Sequence, residues 1–310
     1  MSVSEQRRGL VFGATAYVLW GLFPLYFRLL EPASPLEILA NRIVWSLAFV
    51  ALLLALRRRW AWVGPLLRNR RQLLLLAAAA LTIATNWGVY IYGVNTNQVV
   101  ETSLGYFINP LVSILFGVLL FSERLGKWQW VAVGLGTVAV LVLTVDYGRV
   151  PWLALVLALC FGTYGMLKKT IGMGSLESLS VETALLFLPA LGFLVLLNVQ
   201  GTSVLQQEGP KTASLLATTG LVTAVPLLLF GAAATRIPLT WIGLLQYSAP
   251  VLQFLIGVLV FNEPMPASRL VGFALVWAAL AILAVDSIAA VHRGRQVERE
   301  EAGIDAAEAH

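Results

Sequence analysis

The sequence predicts an all-α, polytopic membrane protein with ten transmembrane helices in two inverted five-helix repeats. Three observations carry this: an apolar composition, ten hydrophobic runs of membrane-crossing length, and one segment that occurs twice. Of 310 residues, 59% are hydrophobic and 12% charged, and the mean hydropathy is +0.82. The runs lie near 9–30, 36–56, 72–94, 99–121, 128–146, 150–167, 179–197, 215–235, 239–261 and 268–288. Most can cross a hydrocarbon core of ~30 Å as helix, and a soluble core would explain one or two of them, not ten.

The first run reads as a retained span. Trp20, Gly21, Pro24 and Arg28 interrupt it, it lacks a small-residue cleavage pattern, and a second span follows at once. Positive charge orients the set. With the N-terminus inside, 16 of the 21 Lys and Arg residues fall at inner ends and loops, among them Arg57, Arg58, Arg59, Arg124, Lys168 and Arg236. Only Arg28, Arg149, Lys211 and Arg269 fall outside, and Arg42 lies within a span. That bias fits an even number of spans with both termini cytoplasmic. The pI near 9.6 therefore reports topology, and nucleic acid is not an expected partner. Trp60, Trp62, Trp128, Trp130 and Trp152 sit near span ends, where an amphipathic ring suits the lipid headgroups. The charged tail after Arg293 reads as a solvated helix or a disordered segment.

The repeated segment is PLVSILFGVLLFSERL from Pro110 and PVLQFLIGVLVFNEPM from Pro250, with proline, a Gly-Val-Leu step, phenylalanine and glutamate in register. The copies fall in the fourth and ninth spans. Five spans separate them, and an odd offset turns the second copy over in the membrane. Residues 1–147 and 148–290 are thus expected as inverted halves, with 291–310 as a cytoplasmic tail. Such halves can form two related arrangements that open a midplane site to alternate sides. Gly117, Gly134, Gly136, Gly257 and Gly272 read as close-packing positions between helices.

Polar groups at membrane depth are expensive unless they face protein or a wet cavity. Arg42 either snorkels, holds a helix in place, or binds an anionic or carbonyl-bearing solute through its fork of donors. Its repeat counterpart region holds Glu182. Asn86, Tyr90, Tyr106 and Asn109 mark the third and fourth spans, and Tyr164, Trp241, Gln246, Tyr247 and Gln253 mark the second half. Each is open to two readings, helix adhesion or solute contact; together they suggest a cavity of amides and aromatics. Pro24, Pro110, Pro226 and Pro250 are expected helix interruptions, and Pro110 frees the carbonyl of Tyr106. Glu123 and Glu263 end the repeated spans as cap or gate candidates, and Glu101 and Glu182 are candidates for coupling.

At these residues the chain resembles a known family. The runs GLVFGATAYVLWGLFPLYFRLL, LEILANRIVWS and NWGVYIYGVNTNQVVETSLGYFINPL, with the duplicated pair, resemble the chloramphenicol-sensitivity (RarD) group of the EamA family of drug/metabolite transporters over residues 7–290. The resemblance implies a bacterial inner-membrane protein whose cavity lies between helices 1–4 and 6–9, with helices 5 and 10 bracing the back. It would place Tyr90, Asn109, Gln246 and Tyr247 near the cavity and Arg42 near its outer side. The expected function is secondary transport of a small metabolite, drug or amino-acid-like solute by alternating access, with proton coupling an open option. A small-solute channel, a membrane sensor and a membrane enzyme are the alternatives. The only histidines are His292 and His310, the lone cysteine is Cys160, and no phosphate-binding glycine loop or metal-ligand spacing occurs, so no cofactor is expected. Membrane lipids surround the protein, which is expected as a monomer or weak homodimer.

Overall fold

A computed structural model describes residues 3–57, 60–121 and 125–308; Glu123, Arg58, Arg59 and Arg124 lie outside the described residues. Ten helices among those described are long and apolar enough to cross a membrane: Glu5–Arg28, Pro35–Leu56, Arg70–Asn95, Val99–Leu119, Lys127–Tyr147, Trp152–Ile171, Leu176–Val199, Gly209–Ala234, Trp241–Val260 and Ala267–Asp286. They are called the first to tenth spans below. Their outward faces carry bare apolar side chains, such as Leu74, Leu188 and Val145, which are at home only in lipid. The eighth span starts well before its apolar run because Gly209 and Pro210 open the helix, and proline is tolerated in a first turn whose N–H groups are unbonded anyway. Asn69 caps the helix of the third span by accepting from the Gln72 N–H.

Both halves repeat one order of elements: two spans, a short helix (Val63–Arg68 or Val204–Gln207), then three spans. Two compact units cut across those halves. The first joins Met1–Ser113 to Trp152–Pro264, so it holds spans one to three, the beginning of the fourth, and spans six to nine; the second joins Ile114–Pro151 to Met265–His310.

Within the first unit, three of the pairings answer one another across the two halves. The first span packs on the eighth as the sixth packs on the third, the second on the eighth as the seventh on the third, and the second and seventh pack on each other. The first span meets the ninth, and Gly105 in the fourth presses against Ala154 and Leu157 of the sixth. Inversion is visible at one face. Arg28, at the end of the first span, donates to Asn97 beside the start of the fourth (2.7 Å), and Glu101 in that same start accepts from the N–H of Leu153, where the sixth begins (3.1 Å). The sixth span therefore starts on the face where the first one ends.

Among the described glycines, the tightest approach of backbone to backbone between spans is at Gly220. A Cβ there would stand 2.3 Å from the carbonyl oxygen of Trp45, so the second and eighth spans touch backbone to backbone. Gly257 is close to Val100, with a Cβ there 2.9 Å from its side chain, but Gly134 has nothing within 4 Å and is not a close-packing position.

In the second unit the fifth and tenth spans pack along their length. Arg269 pairs with Asp146 at 2.8 Å and lies over the Tyr147 ring at 4.1 Å, and the Ser268 hydroxyl also bonds Asp146. Gly148, at φ +63°, ends the fifth span in a left-handed turn that a side chain would oppose.

The four prolines divide into two kinds. The first span breaks after Gly21 and resumes as Phe23–Arg28 around Pro24; the ninth breaks at Gln246 and Tyr247, resumes as Ser248–Leu255 around Pro250, and ends in a π-helical turn, Ile256–Val260. Pro110 and Pro226 lie inside continuous helices, Val99–Phe121 and Gly209–Ala234. Interruption is corrected there to the loss of one backbone hydrogen bond, which the rest of a long helix absorbs.

Candidate solute site in the eight-span unit

Arg42 is 4% exposed in the interior of the first unit. Its Nε donates to the Thr223 hydroxyl at 2.9 Å. Its guanidinium lies 4.1 Å from the Trp87 ring centre and 5.6 Å from those of Phe23 and Phe27. The first, second, third and eighth spans all contribute, because Phe23 and Phe27 stand one turn apart after the break at Gly21 while Trp87 faces inward from the third. No carboxylate among the described residues pairs with Arg42. A desolvated ring contact contributes about 2 kcal/mol, against several for taking the ion out of water, so the cage offsets only part of that cost.

Tyrosines from three spans, Tyr26, Tyr90 and Tyr106, interact electrostatically with this charge. Tyr26 bonds the Leu215 carbonyl (3.0 Å) and the Thr218 hydroxyl (2.9 Å). Tyr106 donates to Asn86 (3.2 Å), and Asn86 donates to the Leu157 carbonyl (3.1 Å). Tyr90 is 3% exposed and its hydroxyl has no partner. Its ring stands edge-on between Phe27 and Tyr106.

From there a line of rings continues through Phe161 to Tyr164. Tyr164 belongs to a second cluster, where its hydroxyl donates to Glu182 (3.0 Å), Lys168 pairs with Glu182 (3.0 Å), and Ser178 bonds both Lys168 and Glu182. Glu182 is 1% exposed and Lys168 21%, so this pair compensates internally, unlike Arg42.

Three buried carboxylates cap helix starts across the two halves, on the face where the first span ends. Glu37 accepts from the Val204 N–H (2.9 Å) and the Ser203 hydroxyl (3.2 Å), Glu101 from Leu153, and Glu263 from Val99 (2.5 Å) and Val100 (2.8 Å). Each places negative charge on the positive end of a helix dipole and satisfies N–H groups that the helix leaves unbonded. At the opposite face the halves meet through a more exposed pair, Arg236 with Glu5 (3.1 Å), and through Gln72 donating to the Ile171 carbonyl (3.3 Å).

Gln253 donates to the carbonyl of Trp20 (3.1 Å), which Pro24 leaves without its usual N–H partner, while its own Oε1 is buried and unpaired. Asn109 Oδ1 is also buried and unpaired. Gln246 and Tyr247 are half-buried at the break in the ninth span, and Trp241 is 45% exposed. The structure thus gathers Arg42, Asn86, Tyr90 and Tyr106, places Tyr164 with Glu182, and leaves Trp241 apart. Thr223, Phe23, Phe27 and Trp87 complete the cage without having been singled out as site residues. The phenylalanine pair at i and i+4 after a Gly-Leu-Phe-Pro break was the available signal for two of them.

An eight-span unit of inverted halves with a cation and unpaired polar atoms in its interior has the architecture of a secondary transporter of small solutes. Among the described residues no group of acidic, His or Cys side chains could hold a metal. The EamA-like transporter family model matches residues 7–145. The chain is 59% identical to the protein RarD of Streptomyces exfoliatus, covering 94% of this chain and 93% of that one. It is 43% identical to an uncharacterized transporter of Pseudomonas aeruginosa (94% and 98% covered) and 38% to RarD of Escherichia coli (93% and 97%). A solved crystal structure at 17% identity shares the fold, with a TM-score of 0.55 over 88% of this chain and 96% of its own. The chain belongs to the EamA-like transporter family, in its RarD group, a family of multi-pass bacterial inner-membrane transporters and not of enzymes.

Proposed function

We propose that the chain carries a small metabolite or drug by alternating access, through the interior of the eight-span unit and past Arg42. The observation that carries this reading is the set of interlocking inverted pairings around a buried, uncompensated cation. Residues 1–147 and 148–290 act as the two repeats, with 291–310 as a cytoplasmic tail. Both termini face the cytoplasm, as the charge bias favours, so the three carboxylate clamps lie on the outer face. Opening outward then requires that Glu37, Glu101 and Glu263 release their helix starts. Both halves of the site come from one chain, so a monomer suffices as the working unit, and a weak homodimer would add no residue to it.

Asn109 and Gln246 line the path. Asn109→Ala combined with Gln246→Ala should lower saturable counterflow in reconstituted vesicles at least several-fold while leaving the melting temperature near wild type. Unchanged flux would remove these two residues from the path. Coupling to protons falls to Glu182, which faces Lys168, Ser178 and Tyr164. Glu182→Gln should abolish stimulation of flux by an imposed proton gradient and spare exchange. Gradient-driven flux at the wild-type rate would reassign the coupling.

A further inference from the structure

Arg42 and Tyr90 together leave donors idle where idle donors are expensive. A guanidinium has five N–H donors, and among the described residues only Nε of Arg42 finds an acceptor, on Thr223. The ring faces of Trp87, Phe23 and Phe27 screen the charge without accepting hydrogen bonds in its plane. Phe27, whose face takes the Arg42 charge, also packs against Tyr90, and the Tyr90 hydroxyl is buried with no partner of its own. Among the described residues, other ionic groups at span depth or span ends have partners: Lys168 with Glu182, Arg269 with Asp146, and the clamp carboxylates with helix N–H groups.

We propose that Arg42 and Tyr90 form the binding site for the carboxylate of a small organic monoanion, whose apolar, preferably planar body lies among the surrounding aromatic rings. This deepens the transport reading above and rests on it. A carboxylate matches the flat fork of a guanidinium with two parallel hydrogen bonds and leaves an oxygen lone pair for a phenol donor. One unpaired positive charge is neutralised by one negative charge, which favours a monoanion over a phosphate dianion. A zwitterionic amino acid would also need an anion for its ammonium group, and no carboxylate pairs with or caps the Arg42 cage, so a simple carboxylic acid is the better fit.

The test uses purified full-length protein and matched probes: indole-3-acetate, phenylacetate, benzoate and octanoate, each against its primary amide. At neutral pH the acids should raise the melting temperature in detergent, and the amides should bind at least 10-fold more weakly. Arg42→Gln should erase the difference between acid and amide without lowering the melting temperature of the unliganded protein, because it removes an unpaired charge. Tyr90→Phe should weaken acid binding several-fold and leave the unliganded melting temperature unchanged. Equal shifts by acids and amides, no shift by any acid of the set, or an acid preference that survives in Arg42→Gln would overturn the site. Vesicle counterflow separates the two readings. Saturable exchange of chloramphenicol with no acid preference would remove the anion site and keep the carrier, whereas acid-specific binding without flux of the bound acid would keep the site and remove the carrier.

Discussion

Gly220→Ala should destabilise the protein severely, while Gly231→Ala in the same span should leave the melting temperature at the wild-type value. The added methyl at Gly220 would meet the main chain of Trp45 and Ser46, at 2.3 to 2.8 Å, whereas nothing lies within 4 Å at Gly231. Overpacking in a close-packed interior costs about 1–3 kcal/mol where side chains can shift aside. Backbone cannot shift without separating the second span from the eighth, so this position should reach or exceed that range. Separating them would also part Arg42 from Thr223, since those residues hang from the same two spans. Thermal melting in detergent checks the pair of variants, and equal melting temperatures would refute the contact.

Glu263→Ala is expected to have the second-largest effect. It strips the N–H groups of Val99 and Val100 of their acceptors in a buried place, at roughly 1–3 kcal/mol for each group left unsatisfied. Glu263→Gln retains a single carbonyl acceptor and should fall between alanine and wild type. The loss should also loosen the face where Arg28 meets Asn97. A cysteine placed at Asn97 in a Cys160→Ala background should react faster with an impermeant maleimide in the alanine variant. An alanine variant that melts like wild type, with an unchanged labelling rate, would show that the clamp carries no weight.

What the sequence made legible follows from what each signal measures. Hydropathy senses transfer from water to lipid, so all ten spans stand out, and the charge bias and the Pro110 and Pro250 copies point to inversion. The start of the eighth span did not stand out because the turn from Gly209 to Ser214 is helical but polar. Arg42 drew notice as a charge in an apolar run. Thr223 did not, since a span threonine usually bonds its own helix, and this one also does, donating to the Thr219 carbonyl at 2.8 Å. Phe23 and Phe27 look like ordinary packing until the guanidinium is seen among them. Which spans meet is a long-range property, so the partners of Glu37, Glu101 and Glu263, each more than fifty residues away in sequence, could not be read from spacing.

The bond from Gln253 to the Trp20 carbonyl ties the first span to the ninth, the two spans whose helices are interrupted beside a proline. Their repeat counterparts, the sixth and fourth, are unbroken. The halves thus agree in sequence pattern and in several pairings but differ in which spans are interrupted. In a carrier whose two halves exchange roles about a two-fold axis, reversing that difference should close the interruptions in the first and ninth spans and open one in the fourth at Pro110.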